Sequence, residues 1–276
     1  MPEGPELRYS RDVIRKIVTG GTVRSLSFGP NSRYSSAPPE GFREFSQELP
    51  AKIVSVDVKG KFMWWTLQGE TTRWYMWCTY GMSGQWSTKK TKHWAAQIDF
   101  DVVLGVSGSI HFNDPRHFGT LKFVNDDSTH RKKLAGLGPD VLSDNLEEVV
   151  FVQNILKNPT RTIAESLMDQ KTISGVGNYM KSEALFRSKI SPWRIVSDIS
   201  AEEYISLRKS VIEVATESYS SQGASISTYR NPDGEKGTTQ FNFQIYSREL
   251  CPLSHVVRKE QTPEGRTSHW CEMCQK

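Results

Sequence analysis

The sequence predicts an α+β fold, with an N-terminal antiparallel β-sandwich that opens on a helix, a helical second domain and a C-terminal β-hairpin. Three observations predict it. An apolar stripe at helical spacing begins the chain, residues 22–125 alternate β-branched and aromatic runs with turn formers, and after about residue 126 the apolar spacing becomes helical. We expect domains at residues 1–130, 131–240 and 241–276, because 276 residues exceed one typical domain.

The N-terminal elements follow from these patterns. Residues 5–18 form a helix that ends at Gly20-Gly21. Its apolar positions are Leu7, Val13, Ile14, Ile17 and Val18. Strands are expected at Thr22–Phe28, Lys52–Leu67, Thr72–Tyr80, Gln97–Val106 and Gly119–Val124. Residues 28–41 are rich in Pro, Ser and Asn and predict a loop.

The helical part has its own start and stop signals. Helices are expected at Leu146–Leu156 with Asp144 or Asn145 as cap, at Arg161–Met168, from Asn178 to Arg187, and at Ala201–Tyr219. Residues 221–240 contain Pro and several Gly, which predicts an exposed loop. The basic residues 131–133 are interpreted as a solvated linker cluster.

Composition excludes some classes of protein. The chain is 37% hydrophobic and 24% charged, and it contains no apolar run near the roughly 20 residues of a membrane span. We therefore expect a monomeric protein that has no membrane partner and is not secreted. The net charge of +4 permits nucleic-acid binding without requiring it.

The second residue of the chain carries the most chemical information. Proline is small enough for Met1 to be removed, which would leave a free secondary amine on Pro2. Such an amine attacks electrophilic carbon to form an iminium, and its usual pKa of about 7.7–8.0 leaves part of it unprotonated near pH 7. Glu3 is close enough to move protons at the same carbon. The alternative is that Pro2 only begins a helix, where its missing N–H costs nothing.

Four residues near the C-terminus have the spacing of a metal site. Cys251 and His255 form one pair, Cys271 and Cys274 the other, with fifteen residues between the pairs. A Cys₃His set predicts one structural zinc ion per chain, because four protein ligands leave no open position for catalysis. A disulfide framework is the alternative, and the few clustered cysteines argue against it. Cys78 lies in an apolar run and is expected to be a small buried side chain.

Weaker motifs lie between these two ends. The turn Gly175-Val-Gly177 before Asn178 would aim a helix N-terminus at a phosphate, or it is an ordinary connection between helices. Arg116 and Phe118 could contact bases, or they belong to a turn with a buried Phe. Met82 is a base probe or a core residue, and Lys61 is a fixed cation or a solvated strand end.

Together these motifs resemble the Fpg/Nei family of bifunctional DNA glycosylases (formamidopyrimidine-DNA glycosylase and endonuclease VIII) over nearly the whole chain. The similar segments, in family order, are Met1–Glu6, Lys61 in Gly-Lys-Phe-Met, Tyr80–Gly84, Asn113–Gly119, a helix–two-turn–helix motif over Leu167–Phe186, and a zinc finger over Tyr246–Gln275 with Arg266 at its arginine position. Their joint occurrence is far more specific than any one of them.

The resemblance implies a mechanism and a partner, damaged DNA in duplex, bubble or single-stranded form. An oxidised base is flipped into a pocket. Pro2 attacks C1′ of its nucleotide with proton transfer by Glu3, and the Schiff base permits β- and then δ-elimination. Lys61, Arg266 and Asn178 would hold phosphates, whereas Met82, Arg116 and Phe118 would fill the gap left by the base. The protein would then be intracellular, in the nucleus or cytoplasm.

Two departures bear on the substrate. The family finger usually has four cysteines, so His255 favours the Nei-like branch with a Cys-His-Cys-Cys finger, and with it oxidised pyrimidines. His117 stands where bacterial relatives often have Arg, which puts that contact in doubt. Residues 221–240 are long enough to cap a purine, so oxidised purines such as formamidopyrimidine or 8-oxoguanine remain the alternative. A catalytically silent binder of damaged DNA is the other.

Overall fold

An eight-stranded antiparallel sheet occupies the N-terminal half of the protein. The structure is a computed structural model, and it describes residues 1–102, 107–142, 146–226 and 229–276. Helix α1 (Gly4–Val18) precedes the sheet. The strands of the sheet are β1 (Thr22–Phe28), β2 (Ala51–Lys59), β3 (Phe62–Gln68), β4 (Arg73–Thr79), β5 (Gln85–Ser87), β6 (Trp94–Asp101), β7 (Ser107–Asn113) and β8 (Thr120–Val124). A one-turn helix, α2 (Phe42–Phe45), lies between β1 and β2.

The sheet folds into two layers about β1, which pairs with β6 along its length but with β2 only at its start. The strand order is β5-β7-β6-β1-β2-β3-β4-β8. Thr22 and Val23 pair with both β2 and β6, whereas residues 25–28 pair with β6. Side chains from both halves then meet in one core, where the Trp65 and Trp86 rings lie 5.5 Å apart. The predicted β-sandwich is therefore confirmed.

The helical half surrounds a second core. Helix α3 (Asp127–Ala135) leads to α4 (Glu148–Leu156), α5 (Ile163–Met168), α6 (Asn178–Arg187) and α7 (Ala201–Ser220). The core joins α4 to α7 through the buried side chains of Phe151, Leu167, Met180 and Val211. A hairpin of β9 (Arg258–Gln261) and β10 (Thr267–Trp270) ends the fold.

The structure corrects several expected elements of the sheet. The run Lys52–Leu67 is two strands, because Gly60 adopts a left-handed conformation (φ +57°) that turns the chain. Strands β5 and β7 were not predicted, and β6 begins three residues before the expected Gln97. Residues 103–106, at the end of that expected strand, lie outside the described residues.

The helical half also differs from expectation. The basic residues 131–133 belong to α3 rather than to a linker, since the Asp126 carboxylate caps this helix. The His130 ring stacks on Tyr75 of β4 at 3.9 Å, so α3 packs on the sheet and continues across the expected boundary at residue 130. Helix α4 begins at Glu148 after Glu147 as cap, and Asp144 and Asn145 lie outside the described residues.

The segment 221–240 was expected to be an exposed loop, but several of its described residues are buried. Ala224, Tyr229, Asn231 and Thr239 are all at least 95% buried. Glycine, proline and polar residues predict an irregular path correctly, but they do not reveal what the path packs against. No helix in the described parts of the chain is both long and apolar enough to cross a bilayer.

Candidate active site

The Glu3 carboxylate is held by the N-terminus of helix α6. It accepts hydrogen bonds from the backbone N–H groups of Gly177 (2.8 Å), Tyr179 (3.0 Å) and Met180 (3.4 Å). A Cβ at residue 177 would lie 2.2 Å from the Glu3 carboxyl carbon, so only glycine allows this approach. The turn expected to receive a phosphate thus receives a carboxylate of the same chain, which the N–H groups and helix dipole stabilise in the same way.

Glu6 is a second buried carboxylate, and the sequence analysis missed it. Its oxygens accept from the N–H of Glu3 (2.7 Å), the Tyr179 hydroxyl (3.0 Å), the Ser218 hydroxyl (3.1 Å) and the N–H of Ala224 (2.7 Å). It therefore joins α1 to α6, α7 and the segment 221–240. The available signal was the spacing of Glu3 and Glu6, which form a capping box at the start of α1.

A cavity of about 590 Å³ brings together three of the predicted site residues. Pro2, Lys61 and Arg266 line it, with Tyr80 and Gly81 at the end of β4. The Lys61 ammonium donates to the Val176 carbonyl at 2.8 Å, in the turn before α6. Lys61 is thus a fixed cation inside the site, and the alternative of a solvated strand end is excluded.

Burial shifts the pKa of both ionisable groups beside Pro2. It raises the pKa of the Glu3 carboxyl to about 7, although the Lys61 ammonium opposes the rise. It lowers the pKa of Lys61 to about 8, although the Glu3 charge opposes the fall. Near neutral pH the site can therefore give and take protons at Glu3, which is what general acid–base chemistry needs.

Met1 also lines this cavity, and its peptide bond acylates the Pro2 nitrogen. A nitrogen in a peptide bond is not nucleophilic. Removal of Met1 would free the amine and enlarge the cavity in front of it. Pro2 itself is buried, so the amine would face the cavity rather than bulk solvent.

The two expected gap-filling loops lie next to this cavity. Phe118 is 54% exposed, which excludes the alternative of a buried Phe, and the Arg116 guanidinium lies 5.2 Å from its ring centre. Half-buried Met82 follows Gly81, a cavity residue that packs against the Phe118 backbone. His117 takes a left-handed φ of +58° between Arg116 and Phe118.

A hydrogen-bonded bridge fixes the two loops to each other. The Asp114 carboxylate accepts from the Ser83 hydroxyl at 2.6 Å and from the N–H of Gly119 at 2.6 Å. The Ser83 hydroxyl also accepts from the Arg116 N–H at 3.1 Å. Met82 and Phe118 are therefore held on one rigid rim.

The four expected zinc ligands come together at the base of the β9–β10 hairpin. The ligand atoms of Cys251, His255, Cys271 and Cys274 all lie within 4.8 Å of one another. The sulfurs of Cys251 and Cys274 are 3.9 Å apart, and His255 Nδ1 is 3.4 Å from the Cys274 sulfur. Zinc–sulfur bonds of about 2.3 Å at tetrahedral angles place ligands about 3.8 Å apart, so the set fits zinc.

The finger reaches the active site through its hairpin. The Asn178 amide donates to the Thr267 carbonyl at 2.8 Å, so the start of α6 is tied to β10. Arg266 is the residue before Thr267, and it points into the cavity of Pro2. The zinc ligands themselves lie away from the cavity lining, which suits a structural ion.

Comparison with known proteins agrees with this arrangement. The family model of the formamidopyrimidine-DNA glycosylase N-terminal domain matches residues 1–121, and that of the formamidopyrimidine-DNA glycosylase H2TH domain matches residues 137–230. Formamidopyrimidine-DNA glycosylase of Thermus thermophilus is 33% identical over all of this chain and 98% of its own length. That of Shouchella clausii is 30% identical over 100% of this chain and 99% of its own.

Solved structures show the same fold. MutM (Fpg) of Thermus thermophilus superposes with a TM-score of 0.81 at 30% identity, covering 99% of this chain and 98% of its own. Lactococcus lactis Fpg in complex with abasic-site DNA superposes with a TM-score of 0.83 at 24% identity over 99% of both chains, and this likeness concerns the fold alone.

These matches define the class of protein as a DNA glycosylase with AP lyase activity. More particularly, the chain belongs to the formamidopyrimidine-DNA glycosylase family. The family resemblance inferred from the motifs is confirmed. Its narrower part, the Nei-like branch, has no such support, since these relatives carry the Fpg name.

Proposed function

We propose that this enzyme excises oxidised purines of the formamidopyrimidine and 8-oxoguanine type from damaged DNA and cleaves the abasic site through a Schiff base on Pro2. One observation carries the proposal. A single cavity unites Pro2 with Lys61 and Arg266, while Glu3 is held directly behind it at the start of α6. Two cations flanking a masked amine suit a nucleotide whose C1′ is attacked while its phosphates are held.

The proposed reaction runs through a covalent intermediate. The Pro2 nitrogen forms a bond to C1′ as the glycosidic bond breaks, and the base leaves with a proton from Glu3. The Pro2 N–H proton passes through the Glu3 carboxylate to the ring oxygen, and the sugar opens to the iminium. Glu3 then takes a C2′ proton as the C3′–O bond breaks and the 3′ phosphate leaves, and loss of a C4′ proton in a second elimination breaks the C5′–O bond and releases the 5′ phosphate. Water then hydrolyses the iminium and restores Pro2.

The other predicted residues take supporting roles in this proposal. Lys61, Arg266 and Asn178 contact the phosphates on either side of the lesion, as two cations and a neutral donor. Met82, Arg116 and Phe118 enter the space left by the flipped base, because half-buried Met82 and the exposed Arg116 and Phe118 lie on one rim beside the cavity. We also propose the three-part division at residues 130 and 240, with α3 as the element that connects the first two parts.

Support for a purine comes from the relatives that are 33% and 30% identical over the whole chain, both of which are named formamidopyrimidine-DNA glycosylase. The segment 221–240 is tied to both halves of the molecule, since its Ala224 N–H is bound by Glu6, its Arg230 N–H donates to Gln85 Oε1 at 2.6 Å, and its Pro232 carbonyl accepts from the Thr88 N–H at 3.0 Å. None of its described residues lines the cavity of Pro2, so these contacts do not themselves choose between a purine and a pyrimidine. The Nei-like interpretation rests on His255, a metal ligand remote from the base, so it carries less weight.

Substrate preference tests the proposal directly. We expect duplexes with a formamidopyrimidine or 8-oxoguanine to be excised at least about tenfold faster, in kcat/KM, than duplexes with 5-hydroxycytosine, a difference of about 1.4 kcal/mol. Single-turnover cleavage of matched oligonucleotides measures it. Faster excision of the pyrimidine would favour the Nei-like alternative. Binding to lesion DNA without excision of any lesion would favour a silent binder.

The zinc finger should act through Arg266. We expect one zinc per chain by elemental analysis, and we expect Cys271→Ser to lose it and to unfold the chain after about residue 240, because metal binding and folding are coupled here. Its cleavage rate should fall as far as that of Arg266→Ala, on the order of 10- to 100-fold. If a zinc-free Cys271→Ser protein cleaves lesion DNA normally, the metal does not position Arg266.

A further inference from the structure

An ion pair between a buried lysine and a largely buried glutamate connects helix α6 with the tip of the finger. The Lys181 side chain has no exposed surface, and its ammonium lies 2.5 Å from Glu264 Oε1, whose side chain is 11% exposed. Glu264 belongs to the turn between β9 and β10. A buried ammonium without a partner costs several kcal/mol, so Lys181 requires this carboxylate in place.

The pair stands between two parts of the active site. Lys181 directly follows the residues 177–180, three of whose N–H groups hold Glu3, and Glu264 lines the cavity of Pro2. Lys181 is therefore anchored in the most buried helix of the site. Glu264 instead belongs to a short turn whose remaining contacts are mostly to its own hairpin.

Thr262 links the Glu264 carboxylate to the backbone of Arg266 through hydrogen bonds. The Thr262 hydroxyl is 2.7 Å from Glu264 Oε1, and the Thr262 N–H donates to the Arg266 carbonyl at 3.0 Å. The Arg266 guanidinium has no hydrogen bond or ion pair with any other described residue. Its position toward the cavity is set by the backbone of this turn.

We propose that the Lys181–Glu264 pair is a positioning device that fixes Arg266 against the nucleotide attacked by Pro2. This positioning role rests on the proposed function, in which Arg266 holds a phosphate beside the lesion. Without the pair the Asn178–Thr267 hydrogen bond still holds the start of β10 to α6, but the tip of the turn loses its ion pair with α6 and the guanidinium can shift from the phosphate. Misplacement by about 1 Å can cost on the order of 100-fold in rate.

A double-mutant cycle with Arg266 tests the device. We expect Lys181→Met to slow single-turnover cleavage of lesion duplex by about 10- to 100-fold, as does Arg266→Ala. In the Arg266→Ala background, Lys181→Met should add less than about twofold, because the residue it positions is gone. Lys181→Arg keeps the charge and should recover most of the rate.

Further variants keep the test decisive. If Lys181→Met loses zinc or folds poorly, Glu264→Gln, which has the same size as the native side chain, enters the same cycle. Arg258→Met removes the exposed pair with Glu272 on the same finger and should change the rate by less than about threefold. Additive losses in the cycle, or an unchanged rate for both Lys181→Met and Glu264→Gln, would overturn the positioning role.

The cycle also distinguishes a failure of the positioning role from a failure of the proposed function. A wild-type protein that cleaves no lesion duplex contradicts the proposed function. An active wild-type protein with an additive cycle contradicts the positioning role alone.

Discussion

Protein with an uncleavable extension on Pro2 is expected to form no borohydride-trapped adduct with abasic-site DNA. An amide nitrogen cannot form the iminium that borohydride reduces, so trapping and strand cleavage should both fall by on the order of 10³-fold or more, as for loss of a covalent nucleophile. Pro2→Gly, which replaces the secondary amine with a primary one, should trap strongly less than wild type. Denaturing electrophoresis of the reduced complex measures both.

A binding control completes this experiment. The extended protein should still bind abasic duplex within about tenfold of wild type, since Lys61 and Arg266 are unchanged. An undiminished adduct in the extended protein would instead identify a lysine as nucleophile. Lys61 would be the first to examine, because it lines the cavity and burial lowers its pKa to about 8.

Substitution of Glu3 by Gln is expected to separate the two activities. Base excision should fall by about 10²- to 10⁴-fold, the usual contribution of a general acid or base. Cleavage of a preformed abasic site needs no base protonation, so it should retain a measurable part of its rate. The comparison uses one duplex that carries the lesion and one that carries the abasic site. An equal fall in both rates would mean that Glu3 positions the amine or the sugar.

The pH profile gives an independent check on Glu3. Its carboxyl has a pKa of about 7, so the protonated form that can donate to the leaving base is present below that pH and is lost above it. The Pro2 amine must be unprotonated at the same time, and its ordinary pKa is about 7.7–8.0, so we expect the excision rate of wild type to be bell-shaped in pH. The residual excision by Glu3→Gln should keep the rise that comes from the amine and lack the alkaline decline, and a wild-type rate with no alkaline decline would contradict proton donation by Glu3.

The features predicted from the sequence are those carried by local chemistry. The proposed reactivity of Pro2 depends on its place in the chain, and the zinc set follows from residue type and spacing. The alternation in β1 and the amphipathic stripe of α1 likewise need only neighbouring residues, and both elements were predicted within one residue. Such signals depend on neighbouring residues alone and can be recognised from the sequence without the tertiary structure.

The features that were missed depend on distant partners. Glu6 resembles any surface glutamate until α6 and α7 close over it, and Lys181 resembles a solvated helix lysine until the finger delivers Glu264. Helix α3 is strongly polar, and its residues 131–133 were interpreted as a linker cluster, although His130 stacks on the sheet. The capping-box spacing of Glu3 and Glu6 marks the start of α1, but no sequence spacing indicates the distant partners in these contacts.

The cradle of Glu3 has a consequence for the order in which the protein is made. The N–H groups that bind Glu3 lie 174 to 177 residues later in the chain. At about 5–20 residues per second, a ribosome needs about 9–35 s to synthesise that interval. During this time the Glu3 carboxylate lacks the N–H groups that hold it, although α1 can already pack in the core of the sheet. An aminopeptidase that removes Met1 would therefore act before the site is complete. A nascent chain that stops before α6 would carry the Pro2 amine and Glu3 without the helix that positions this carboxylate.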